Sequence, residues 1–71
     1  MKVVYGESQL TLSNDMVENL RTVADVYDKF VNVLGLPSDP EVLVNGESAD
    51  FNTSINAEDT IEFVKISGKK A

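Results

Sequence analysis

Apolar residues in the middle of this chain recur at Met16, Leu20, Val23, Tyr27, Phe30 and Leu34, in steps of four, three, four, three and four. That spacing marks one face of a 3.6-residue period and predicts an amphipathic helix. Val26, Val31 and Val33 widen the apolar face. Two starts compete. Asp15 can cap the front of the helix, with Glu18 three residues on. Alternatively Thr22 caps it, with Asp25 three residues on as a variant capping box. In the second case Met16–Arg21 is strand or loop. The end is clearer: Gly35 suits the left-handed position past a helix, Leu36 is its hydrophobic partner, and Pro37 stops continuation.

The pattern on either side has a period of two. Lys2–Tyr5 is β-branched and aromatic, Gln9–Leu12 alternates, and Gly6-Glu7-Ser8 separates them as a turn. Glu41–Val44 and Glu47–Phe51 flank Asn45-Gly46, a pair that fits a type I′ hairpin because both central residues need positive φ. Asn52–Asp59 is a connecting loop with Ile55 turned inward. Thr60–Ile66 alternates again, with Ile61 and Phe63 on one side and Thr60, Glu62, Val64 and Ile66 on the other. Because both of its faces are partly apolar, this is expected to be a central strand. The predicted fold is therefore α+β, a mixed sheet of about four strands packed on one helix (ββαββ). The expected core is Val3, Tyr5, Leu12, Val23, Tyr27, Phe30, Leu34, Val42, Val44, Phe51, Ile61 and Phe63.

Composition narrows the chemistry. At 71 residues, 42% of them hydrophobic, one small core is attainable, so a single domain over residues 1–66 with a flexible tail at 67–71 is expected. The chain has no Cys and no His, which removes disulfides, thiol nucleophiles, the commonest general base and the commonest metal ligands. The N-terminus becomes polar too early for a signal peptide, and no apolar run reaches the ~20 residues of a membrane span. No membrane partner is expected, and a cytoplasmic protein is the default.

Charge is uneven. No basic residue lies between Lys29 and Lys65, whereas Asp39, Glu41, Glu47, Asp50, Glu58, Asp59 and Glu62 fall in that gap. The net charge of −6 disfavours direct nucleic-acid binding and suits a basic protein partner.

Thr22-Val23-Ala24-Asp25-Val26, Val42-Leu43-Val44-Asn45-Gly46-Glu47, Asp59-Thr60-Ile61-Glu62-Phe63-Val64 and Gly68 together resemble the β-grasp, ubiquitin-like sulfur-carrier proteins of thiamine and molybdopterin synthesis. The resemblance spans about Thr22 to Gly68. It implies a β-grasp fold, and a C-terminal glycine carboxylate that an adenylating enzyme activates. Here the chain departs from the family: Gly68 is not followed by a second glycine, Lys69-Lys70-Ala71 lie beyond it, and Glu58 stands where the family usually has Gly. Carrier activity would therefore require a processed terminus.

No residue cluster reads as catalytic. Ser48, Ser54 and Ser67 lack an activating base, Asp25/Asp28 and Glu58/Asp59 lack the ligand spacing of a calcium loop, and the four glycines are scattered at turns. No cofactor and no metal site is expected. In a β-grasp fold the helix covers one sheet face, and apolar residues on the open face mark a partner surface. Val4, Leu43 or Leu10, Val64 and Ile66 are the candidates, register deciding between them. The tail residues Gly68, Lys69 and Lys70 are a second candidate contact. The leading expectation is a non-catalytic protein-interaction module. The alternatives are a divergent sulfur carrier or protein modifier, and an acidic decoy of a nucleic-acid-binding protein.

Overall fold

The computed structural model describes residues 1–65. Its strands are β1 (Lys2–Tyr5), β2 (Ser8–Thr11), β3 (Glu41–Val44), β4 (Glu47–Ala49) and β5 (Thr60–Val64), and its helices are α1 (Asn14–Val17) and α2 (Val23–Leu34). The strands form one mixed sheet in the order β2-β1-β5-β3-β4. β5 is central, parallel to β1 and antiparallel to β3, and the two hairpins β1–β2 and β3–β4 form its flanks. The fold class is α+β as expected. There are five strands rather than four, because the Asn-Gly turn pairs even the three-residue β4 with β3.

That turn has the geometry its sequence calls for: φ is 54° at Asn45 and 85° at Gly46. Asparagine and glycine tolerate this left-handed backbone where a branched residue would strain. The returning strand stops at Ala49, two residues short of Phe51, because Asp50 turns the chain. The Asp50 carboxylate accepts from the Asn52 N–H at 2.9 Å and the Thr53 hydroxyl at 3.2 Å, an Asx-type turn.

The helical stripe is not one helix. α1 ends at Val17, and α2 begins at Val23 behind an extended Thr22 with φ −130° and ψ 169°. Of the two predicted starts, Thr22 begins the long helix. The Asp25 carboxylate accepts from the N–H of Arg21 at 2.9 Å and of Thr22 at 3.3 Å. Tertiary contacts reinforce this start. The Phe51 and Thr53 carbonyls accept from the Ala24 and Val23 N–H groups, each at 3.0 Å, and Thr22 forms a β-bridge with Ser54. Two N–H groups that a helix start normally leaves without partners are thus satisfied by a loop far away in sequence. Met16 consequently lies off the stripe and is 38% exposed, while Val17 and Leu20 take the buried positions.

At the other end Gly35 adopts φ 68° and ψ 41°, and the Leu36 N–H returns to the Val31 carbonyl at 2.9 Å, which tucks Leu36 inward. Val23, Val26 and Phe30 are the buried face of α2. Burying each contributes about 1.5–3 kcal/mol. A cap contributes about 1 kcal/mol, so packing outweighs capping in holding α2 down.

The core comprises Val3, Leu12, Val17, Leu20, Val23, Val26, Phe30, Leu36, Val42, Ile55, Ile61 and Phe63. Tyr5, Tyr27, Leu34, Val44 and Phe51, expected inside, are only half-buried and pack against it from the margin. Tyr27 is the informative case. Its ring lies 5.1 Å from Phe51 and 5.9 Å from Phe63, and its hydroxyl donates to the Pro37 carbonyl, so the polar tip must stay at the edge.

Candidate functional site

The helices cover one face of the sheet. Strand alternation then assigns each residue of β5 to a side: Ile61 and Phe63 face the core with no exposed surface, and Thr60, Glu62 and Val64 face away. The register extends this assignment across the sheet. Val4 on β1 and Leu43 on β3 lie on either side of Glu62, and Glu41 lies beside Val64. Val4, Leu43 and Val64 therefore share the uncovered face, and all three are half-buried by their neighbours. Leu10, the alternative to Leu43, pairs with Val3 and faces the core side. Ile66, Gly68, Lys69 and Lys70 lie outside the described residues.

The open face is thus a patch of three apolar side chains from three strands, with the Glu62 carboxylate among them and Glu41 beside them. Gln9, Thr11, Lys2, Thr60 and Ser48 complete it with polar groups. Carboxylates interleaved with apolar surface can meet a cationic side chain while its alkyl stem covers the aliphatic neighbours.

Glu41 joins this patch to a second feature. An open recess of about 180 Å³ is lined by Pro40, Val42, Ala49 and Phe51 together with Asp39, Glu41 and Asp50. Small-molecule pockets usually run to about 300–1,000 Å³, so this recess is closer to the size of one protein side chain. Its three acidic residues concentrate negative potential at this end of the sheet. The acidic residues were visible in the sequence, and the Asn45-Gly46 hairpin already set residues 41–42 opposite 49–50; the recess between them was not visible. Among the described residues no cluster of His, Cys, Asp or Glu is arranged to hold a metal ion, and no helix is long and apolar enough to cross a membrane.

Asn45 does more than turn the chain. Its side-chain amide donates to the Asp59 carboxylate at 2.9 Å, its side-chain oxygen accepts from the Thr60 N–H at 3.0 Å, and its own N–H donates to the Thr60 carbonyl at 2.8 Å. The other Asp59 oxygen accepts from the Asn56 N–H at 2.8 Å. The Asn45 hairpin tip is thereby latched to the start of the central strand. The Asn-Gly signal announced the turn but not this second attachment.

Neither the known protein-family patterns nor any curated protein matches this chain.

Proposed function

We propose that this chain is a ubiquitin-like β-grasp module that acts by binding another protein, without catalysis, through the open face of its sheet. Two β-hairpins around a helix that covers one sheet face support the β-grasp reading. The observation that carries the functional reading is the triangle Val4, Leu43 and Val64 around Glu62 on the uncovered face. The partner is basic. Its cations meet Glu41 and Glu62 and reach the recess beyond, and opposite charge speeds encounter more than it deepens affinity.

The test uses affinity capture from a native lysate, followed by surface variants. Leu43→Lys is expected to keep the helical circular dichroism signal and to lose the captured protein. Val33→Lys, on the exposed far side of α2, is expected to leave capture intact. Equal capture by all three proteins would refute the reading.

A second reading, a divergent sulfur carrier or protein modifier, draws on the resemblance around Gly68 and on β5, which leads directly toward that tail. It requires an adenylating enzyme as partner and a processed terminus. Intact mass of protein from its native cell separates the two. Loss of Lys69-Lys70-Ala71, or replacement of a terminal oxygen by sulfur, would favour the carrier.

A further inference from the structure

We propose that Asn45 is a site of spontaneous deamidation, that its hydrogen bonds to Asp59 and Thr60 set the rate, and that its conversion breaks the contact with Asp59 and loosens the β3–β4 turn on β5. The chain has six asparagines, and Asn45 alone is followed by glycine: Asn14, Asn19, Asn32, Asn52 and Asn56 precede Asp, Leu, Val, Thr and Ala. Cyclisation needs the next backbone nitrogen to reach the side-chain carbonyl carbon, and a side chain on the following residue obstructs that approach. Gly46 has none, and the space where its Cβ would stand is open. Both residues are exposed to water.

The reaction is balanced by water alone. The Gly46 amide gives up its proton to solvent base, and its nitrogen bonds to Asn45 Cγ. The bond from Cγ to the side-chain nitrogen breaks, and ammonia leaves with a proton from water. Water then opens the succinimide at either carbonyl, giving aspartate or isoaspartate. Water enters, ammonia departs, and nothing is oxidised or reduced.

Geometry restrains this step in the folded protein. The Asn45 amide is held at both ends, by Asp59 at 2.9 Å and Thr60 at 3.0 Å, so it must leave β5 before it can fold back onto Gly46. Conversion then works against the latch. Aspartate has no N–H to donate, and it sets a carboxylate beside the Asp59 carboxylate. Isoaspartate also lengthens the backbone within a two-residue turn. The module therefore carries a slow, irreversible change at the join between its outer hairpin and its central strand.

The experiment incubates the full chain at mildly alkaline pH, folded and in urea, and reads each asparagine by peptide mapping with isoaspartate detection. Asn45 is expected to convert ahead of the other five. In the folded chain it should convert roughly thirtyfold more slowly than in urea, the factor for opening two hydrogen bonds of ordinary net strength. Asp59→Ser leaves an oxygen for the Asn56 N–H but is too short to reach Asn45, and it should recover several-fold of that difference. Asp59→Asn leaves one acceptor oxygen where the carboxylate offers two, to the Asn45 amide and to the Asn56 N–H, and should recover a smaller part of that difference. Asn45→Asp, which needs no incubation, should melt at lower temperature than the parent, and less so in high salt. Equal rates in folded and unfolded parent chain, or faster conversion at another asparagine, would overturn the assignment. An Asn45→Asp protein as stable as the parent would overturn the proposed loosening of the turn.

Discussion

Ile61 and Phe63 have no exposed surface, while Thr60, Glu62 and Val64 alternate with them on the same strand and remain half-covered. The two sets share backbone, neighbours and hydrogen bonding. They differ only in which side of the sheet α2 crosses. On the covered side the sheet presents Val3, Val42, Ile61 and Phe63 to Val23, Val26 and Phe30, a continuous apolar layer. On the open side the same strands present Val4, Leu43 and Val64 broken by Glu41 and Glu62. A carboxylate is tolerated there because water still reaches it, whereas on the covered side it would be stranded without a partner. The covered face thus supplies stability, and the open face keeps its carboxylates in contact with water.

Phe63→Ala is the harshest test of that division. Truncating a fully buried ring costs about 3–5 kcal/mol. Small domains hold only about 5–15 kcal/mol in total, so urea denaturation should show a midpoint far below the parent's. A loss below about 1 kcal/mol would mean that the two faces are not different in kind.

Two substitutions at the ends of α2 sharpen the comparison, because they ask whether the covered layer is held by packing or by caps. Gly35→Ala places a side chain at φ 68° with no clashing neighbour, so its penalty is backbone alone, about 1–2 kcal/mol. Asp25→Ala removes the acceptor for the Arg21 and Thr22 N–H groups and should lower the urea midpoint by the equivalent of about 1 kcal/mol. Either one matching Phe63→Ala would shift the weight from packing to the caps.

Glu62→Gln should have the smallest effect on stability, within about 0.5 kcal/mol, because its carboxylate lies on the open face. The same change should slow association with the captured partner and weaken the salt dependence of that rate, read by surface plasmon resonance. An unchanged rate would detach Glu62 from the binding surface.

Local signals were the ones the sequence carried well. Gly35 past the helix and Asn45-Gly46 between two alternating runs are short-range rules, and each stands where its rule put it, while Thr22 with Asp25 was one of two starts that local rules left open. The stripe from Met16 to Leu34 misled at its front because a 3.6 period is also compatible with two helices joined by an extended Thr22. The bridge to Ser54, thirty-two residues later, decided between them. The open-face candidates Val4, Leu43 and Val64 were legible as alternating strand residues, but choosing Leu43 over Leu10 needed the register. The Asn45-Gly46 hairpin implied that the start of β3 meets the end of β4, but the recess there was not legible, since it also needs Pro40 and the turn at Asp50 to bring Phe51 alongside.

The amino-acid sequence by itself determined the two hairpins, the central strand and the body and end of α2, because backbone preference and side-chain period act over a few residues. It also determined the absence of histidine and cysteine, and with it the chemistry the chain does not contain. Only the tertiary structure decided the register that sets Leu43 rather than Leu10 on the open face, which loop carbonyls complete the start of α2, and what Asn45 grips. Those outcomes depend on partners distant in the chain, and a shift of one residue in strand pairing would exchange the buried and the open face.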